Sequence, residues 1–351
     1  MLAHDPVRSL TLQRVKGGFT LMEMMVSIGV LALLMIMISQ IFGAALAVTG
    51  VRNMQMDADA QARAVFDRMA IDFAQMVKRP DVDYFLKSSF PDQYGNPAQP
   101  QTGNDQIAFY SQVPGYYLTT NGISQNRASL VGYRVNTNSS SPYYSQLQRF
   151  GAGLIWNGVA SGSFAQMVFS SGTNGPTSTS GTNNAIFNNW PNATNMIDDP
   201  NYEPMGPQVF RMEYYYILKG QTSSAGTVFT SQASDTPWET RIDTQGTGLA
   251  YHNSVNGLQD VAAITAIIAV ADPKSRILVK PDQLTNLAGA MKDFGAVDSN
   301  VIGDPSAPGY LEAGWQSEIN SPTNGIPRVA SSSLRVYRRT FYLPSNLPFT
   351  P

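Results

Sequence analysis

Few residues in this 351-residue chain are equipped for covalent chemistry. Cysteine is absent, which excludes thiolate nucleophiles, thiolate metal sites and disulfides. Of the two histidines, His4 lies beside the amino terminus, so a Ser-His-Asp arrangement would have to use His252. That residue sits in Tyr251-His252-Asn253, polar surroundings that read as a surface loop rather than a catalytic site. No G-x-S-x-G elbow, P-loop or G-x-G-x-x-G occurs. Asp198 and Asp199, with Glu203 nearby, offer the oxygen ligands calcium takes, but their spacing fits no cation-binding loop and a solvated acidic turn is the simpler reading. Arg335, Arg338 and Arg339 are interleaved with Tyr337, Phe341 and Tyr342, a mixture of charge and stacking surface that can serve nucleic acid. Along a strand, Arg335, Tyr337 and Arg339 fall on one side, which reads instead as an exposed strand face. The residues therefore predict no enzyme, no metal and no cofactor.

Glu23 stands apart. It borders a run from Met24 to Val51, 28 residues without Asp, Glu, Lys or Arg. A helix of that length rises roughly 42 Å, enough to cross a bilayer core of about 30 Å. A carboxylate at the edge of such a run is costly unless it has a partner or an interface. Thr20 to Glu23 also reads T-x-x-E, a capping box that satisfies donors at a helix start. Upstream, Arg8, Arg14 and Lys16 outweigh Asp5, a positive flank expected to stay cytoplasmic while the rest of the chain faces outward. An ordinary secretory signal is cut after its apolar region. Here two glycines, Gly17 and Gly18, precede it.

The segment Gly18, Phe19, Thr20, Leu21 and Glu23 resembles the amino terminus of type IV prepilins and type II secretion pseudopilins, in which a leader ends in glycine and FTLxE follows. The resemblance implies cleavage between Gly18 and Phe19 by a membrane-bound prepilin peptidase, and N-methylation of Phe19 by the same peptidase/N-methyltransferase. It implies that Glu23 pairs with the freed amino terminus of a neighbouring subunit during assembly. It also implies a single-pass protein of the bacterial inner membrane, its head periplasmic or in a pilus or pseudopilus. Partners would be the peptidase, other pilin or pseudopilin subunits and the membrane. A large head favours a minor subunit, similar to component J of the secretion systems, and the head's EYYY at Glu213 to Tyr216 also resembles Verru_Chthon cassette protein C. An alternative is a surface module that uses the anchor for export and binds glycan, protein or DNA through its aromatic head; an anchored hydrolase would need a cleft around His252 or paired carboxylates.

Three regions follow: a leader at 1–18, a membrane-spanning and amphipathic helix at 19–80, and a β-rich head at 81–351. The fold class is α+β, with the long helix packed on a mainly antiparallel head. Beyond the apolar run, Met54, Ala58, Ala62, Val65, Met69, Phe73 and Met76 recur three or four apart on one helix face. Asp59 with Arg63, Arg63 with Asp67 and Arg68 with Asp72 lie at i,i+4 and read as a solvated face. No proline intervenes between Pro6 and Pro80, and Lys78, Arg79 and Pro80 read as the helix end. Ser39, Gly43 and Ala47 have the small-residue spacing that admits a second helix, and they read almost as well as small residues that simply face lipid.

From Asp81 the pattern turns to short apolar runs between Gly, Pro and Asn. Strands are predicted at Gln106 to Gln112, Leu130 to Val135, Val209 to Leu218, Val261 to Val270 and Leu334 to Leu343. In the third, Phe210, Met212, Tyr214, Tyr216 and Leu218 share a face by period two. Val261 to Val270 (VAAITAIIAV) is too short to span a membrane and reads as a buried central strand, with a helix as the competing reading. A helix is predicted over Pro281 to Phe294, with Leu284, Leu287, Ala288 and Met291 on one side. Ser170 to Asn184 contains only Ser, Gly, Thr, Asn and Pro and is expected to be a loop. The formal charge is −2, and without residues 1–18 the chain holds 20 basic and 24 acidic side chains. Nothing in that balance attracts nucleic acid, and none is expected as a partner.

Overall fold

The charge-free run is helical, and the helix continues far past it: α1 spans Leu21–Ala74, 54 residues, or about 80 Å at the α-helical rise. The computed structural model describes residues 20–78, 103–119, 122–153, 202–222, 228–229, 232–234, 261–294 and 309–344. The chain divides into a unit ending at Arg52 and a unit beginning at Asn53. In the first, Leu21–Leu46 is long and apolar enough to cross a bilayer, and none of it is buried.

In the second unit α1 is amphipathic. Ala58, Ala62, Val65, Met69 and Phe73 are buried, as the spacing predicts, and Met76 is buried just beyond the helix. The helix stops before the expected signals. After Ala74 the backbone is taken up by a sheet edge, where Val77 N donates to Tyr110 O at 2.8 Å and Gln112 N donates to Gln75 O at 2.9 Å. Lys78 therefore lies past the last turn rather than in it, while Arg79 and Pro80 fall outside the described residues.

The first sheet contains β1 (Gln106–Ser111), β2 (Gly115–Thr119), β3 (Gly122–Asn126), β4 (Ser129–Val135), β5 (Leu147–Gly153) and β6 (Tyr202–Gly206). Its order is β1-β4-β5-β2-β3, with β6 also against β5. Pairing is antiparallel except for a short parallel contact of β2 with β5 at Tyr116 and Ala152. Gly115 makes that contact fit, since a Cβ there would stand 2.6 Å from Ser129 Cβ and 2.7 Å from Gly153 N.

The second sheet is antiparallel and includes β7 (Val209–Leu218), β10 (Gln232–Ser234), β11 (Val261–Val270) and β12 (Arg335–Tyr342), in the order β10-β7-β11-β12. Strands β8 (Gln221–Thr222) and β9 (Val228–Phe229) form a separate ribbon. Four short α-helices, α2 (Pro273–Leu278), α3 (Pro281–Ala290), α4 (Tyr310–Asn320) and α5 (Arg328–Ser331), and a 3-10 turn at Pro322–Asn324 complete the described elements.

Two cores share the second sheet. One lies among α1, β1, β4, β5 and one sheet face, with Val65, Met69, Phe73, Phe109, Tyr133, Tyr214, Ile264 and Ile268 in it. The other lies on the opposite face, where Phe210, Tyr215, Ile267 and Ala269 meet Leu284, Leu287, Leu311 and Trp315. Burial on both faces accounts for the unbroken apolar run of β11 and decides for strand over helix. It also exposes one misplacement: Met212, Tyr214, Tyr216 and Leu218 share the first core, but Phe210 belongs to the second. A register shift between Ala269 and Val270 puts an extra residue into β7 and turns Phe210 over. The predicted helix face of Leu284, Leu287, Ala288 and Met291 is buried, although α3 itself ends at Ala290.

Candidate functional site

The helix start is a reciprocal cap. Glu23 N donates to Thr20 Oγ1 at 3.2 Å, while Thr20 N and Thr20 Oγ1 donate to Glu23 Oε2 at 3.0 and 3.1 Å. Met24 N then donates to Thr20 O at 3.2 Å, and Ser27 Oγ folds back to Glu23 O at 2.7 Å. The T-x-x-E spacing is thus realised as a capping box that occupies two of the helix's otherwise unpaired donors. Glu23 is exposed, and Leu21 and Met22 beside it expose large apolar side chains. The carboxylate is thus fixed by its own turn at the start of the apolar helix. Gly17, Gly18 and Phe19 lie outside the described residues. Ser39 and Gly43 are exposed, and a Cβ at Gly43 would meet nothing within 4 Å; the side chain of Ala47 lies outside the description.

At the other end of α1, charges expected to be solvated bind the head. Asp72 is fully buried. It pairs with Arg68 at 3.5 Å as its spacing predicts, but its main partners are elsewhere: Arg149 donates from Nε to Oδ2 at 2.7 Å and from Nη2 to Oδ1 at 3.0 Å, and the Tyr133 hydroxyl also donates to Oδ2. Burial and the neighbouring carboxylate push the Tyr133 phenol well above its usual range. Burial works to lower Arg149, yet Asp72 outweighs it and holds the guanidinium more firmly charged.

The arginine-rich strand is corrected in the same way. Far from being a plain exposed face, β12 is half-buried, and its side chains are tied to helices on both sides. Tyr337 OH donates to Asp59 at 2.5 Å and Arg339 Nη1 donates to Asp67 at 2.6 Å, both on α1. Burial and Asp59 raise the Tyr337 phenol. Arg338 pairs with Glu312 of α4 at 3.1 Å. Phe341 packs on Phe73 and Phe66, with centroids 5.1 and 6.0 Å away. Arg338, Arg339, Tyr337 and Phe341 are therefore engaged within the fold.

A buried ionic cluster in the second core escaped the sequence reading. Arg211 pairs with Glu213 at 3.2 Å and with Asp293, with its guanidinium carbon 5.0 Å from the Trp315 ring centre; Glu213 also accepts from Phe294 N at 3.2 Å. The signal was present: Arg211 and Glu213 are two apart in a strand, hence on one face, opposite the aromatic one. It joins β7 to the segment after α3, and all three charged side chains are buried. Among the candidate ligands, Glu203 is exposed on β6, while Asp198, Asp199 and His252 fall outside the described residues. No group of three or more potential metal ligands occurs among the described residues.

A family model described as the prokaryotic N-terminal methylation motif matches residues 13–39. No curated protein matches the chain. The matched segment contains Gly18, Phe19 and the Thr20–Glu23 cap and continues into the exposed apolar helix. This combination supports a prepilin-like protein and is consistent with a single-pass membrane anchor.

Proposed function

We propose that the chain is a structural subunit, a minor pilin or minor pseudopilin of a type IV pilus or type II secretion-like assembly. The observation that carries this reading is the methylation motif over residues 13–39, set on a helix whose Leu21–Leu46 portion is apolar and wholly exposed. Such a motif implies processing by a prepilin peptidase and assembly with other pilin subunits. In this reading the peptidase cuts between Gly18 and Phe19, and Phe19 becomes the methylated amino terminus. Glu23, already held at the helix mouth by Thr20, receives the new ammonium group of a neighbour, because a carboxylate at an apolar boundary gains most from an ionic partner there. The head, bonded to the lower part of α1 through Asp59, Asp67 and Asp72, faces outward as a large minor-subunit head. The role is structural rather than catalytic.

Mass spectrometry of the amino terminus of protein recovered from its native membrane tests the proposal. A chain starting at methylated Phe19 is expected. An intact Met1 in a host with active prepilin peptidase would overturn it.

A further inference from the structure

Helices α2 and α5 are joined by a buried polar knot. Asp272 accepts from the backbone N of Lys274 and Ser275 at 3.0 and 3.2 Å and from Ser333 Oγ at 2.6 Å. Ser275 Oγ and Ser333 Oγ are 2.5 Å apart. Val279 and Ala330 point into the core below, but the outer side is apolar in water: Ile277 is 85 % exposed, Leu278 55 % and Val329 69 %. Large aliphatic side chains this exposed, on two helices that share one anchor, form the kind of apolar surface that interaction sites present.

The surrounding charge is one-sided. Lys274, Lys280 and Arg328 are exposed, and Asp282 is the one exposed acid in 273–282 and 327–332. Arg276 is excluded from this set because it donates to Tyr144 O at 3.2 Å and Ser145 O at 2.7 Å. The whole chain has a net charge of −2, so this surface runs against its balance.

We propose that the α2–α5 surface docks on an anionic phospholipid bilayer. Ile277, Leu278 and Val329 enter the boundary between headgroups and acyl chains, and Lys274, Lys280 and Arg328 pair with lipid phosphates. Apolar side chains framed by basic ones have the chemistry of an interfacial membrane contact. A bilayer is favoured over an acidic protein segment because the chain itself carries a helix suited to crossing one. The inference requires membrane anchoring, not leader cleavage or fibre packing, so it can fail or stand independently of the proposed function.

The absence of cysteine makes Ser332→Cys, at an exposed position beside Val329, a unique attachment point for an environment-sensitive fluorophore. The labelled full chain is placed in nanodiscs of phosphatidylcholine, with or without phosphatidylglycerol. A blue shift and quenching by brominated lipid are expected only in the anionic discs, and both should vanish near 1 M salt, where screening acts within about 3 Å. Each basic residue removed is expected to weaken the contact about fivefold, so Lys274→Glu with Arg328→Glu should abolish the shift. Near-ultraviolet circular dichroism checks that these surface variants remain folded. Equal emission in the two discs, or a shift surviving both the charge reversal and Ile277→Ser, overturns the proposal. A shift that instead grows with protein concentration in phosphatidylcholine discs assigns the surface to a protein partner and overturns it as well.

Discussion

Asp72 of α1 and Arg149 of β5, 77 residues apart, meet through two parallel hydrogen bonds of 2.7 and 3.0 Å. The pair fixes the rotation of the helix against the first sheet, since a guanidinium donates two parallel hydrogen bonds to a carboxylate in one plane only. Asp72→Leu leaves Arg149 and the buried Tyr133 hydroxyl without their acceptor. It is expected to lower unfolding free energy by about 3 kcal/mol, and the double variant with Arg149→Met should recover part of that loss. Urea denaturation of the full chain in detergent measures both.

The cap separates two roles for Glu23. Glutamine can close a capping box as glutamate does. Glu23→Gln should therefore keep the helix start while removing the charge, and Thr20→Ala should weaken the start by about 1 kcal/mol while keeping it. If charge serves assembly, Glu23→Gln remains cleaved at Gly18 but disappears from sheared fibres, whereas Thr20→Ala is incorporated. Equal recovery of both in the fibre fraction would count against an ionic role.

Lys78 is buried, and burial first and Lys219 second lower its pKa to about 8. A lysine with a depressed folded pKa destabilises the fold while the pH is below that value, because the charged amine is disfavoured in place. Lys78→Met should raise the denaturation midpoint at pH 7. That advantage should shrink as pH rises through about 8 toward the ordinary lysine range, where the unfolded chain also loses its proton.

Asp272 shows the opposite sign. Burial works to raise its pKa, but hydrogen bonds from Ser275, Ser333 and Lys274 outweigh it and hold the carboxyl below its usual value. Its contribution is full above the ordinary carboxylate range and is lost as pH falls below it. Asp272→Ala is expected to cost about 1–2 kcal/mol near neutrality by removing the α2 cap, and the difference from the parent chain should narrow in acid. Thermal melts across pH 2–7 read both effects.

Gly115→Ala must move either Ser129 or the Gly153 backbone, since its new carbon would fall 2.6 and 2.7 Å from them. A loss of about 1–3 kcal/mol is expected, and amide exchange should quicken first around Tyr116 and Ala152, where β2 joins β5.

The most legible parts of the sequence were those with one dominant period. The buried faces of α1, β7 and α3 each carry a repeat that local spacing reveals, and β11 carries an unbroken apolar run, because each packs on apolar neighbours. Phe210 went to the wrong face because a bulge is a property of two paired strands, and no single strand records it. Asp72 reads as solvated because Arg68 at i,i+4 is a sufficient local partner, whereas Arg149 is distant in sequence. In helix α4 Leu311, Trp315 and Ile319 repeat every four residues, a signal that Gly314 within the helix weakens. At the candidate site, the Thr20–Glu23 cap was readable in full since all its partners lie within one turn.

Within the second unit, the stretch of α1 from Ala58 to Phe73 is a wall of the first core, and this determines how that unit bears tension. A pull along the helix axis cannot peel the head away one contact at a time. It must slide Val65, Met69 and Phe73 past their neighbours together while breaking the Asp59, Asp67 and Asp72 bonds in the same motion. Loaded in shear, the junction resists as a unit.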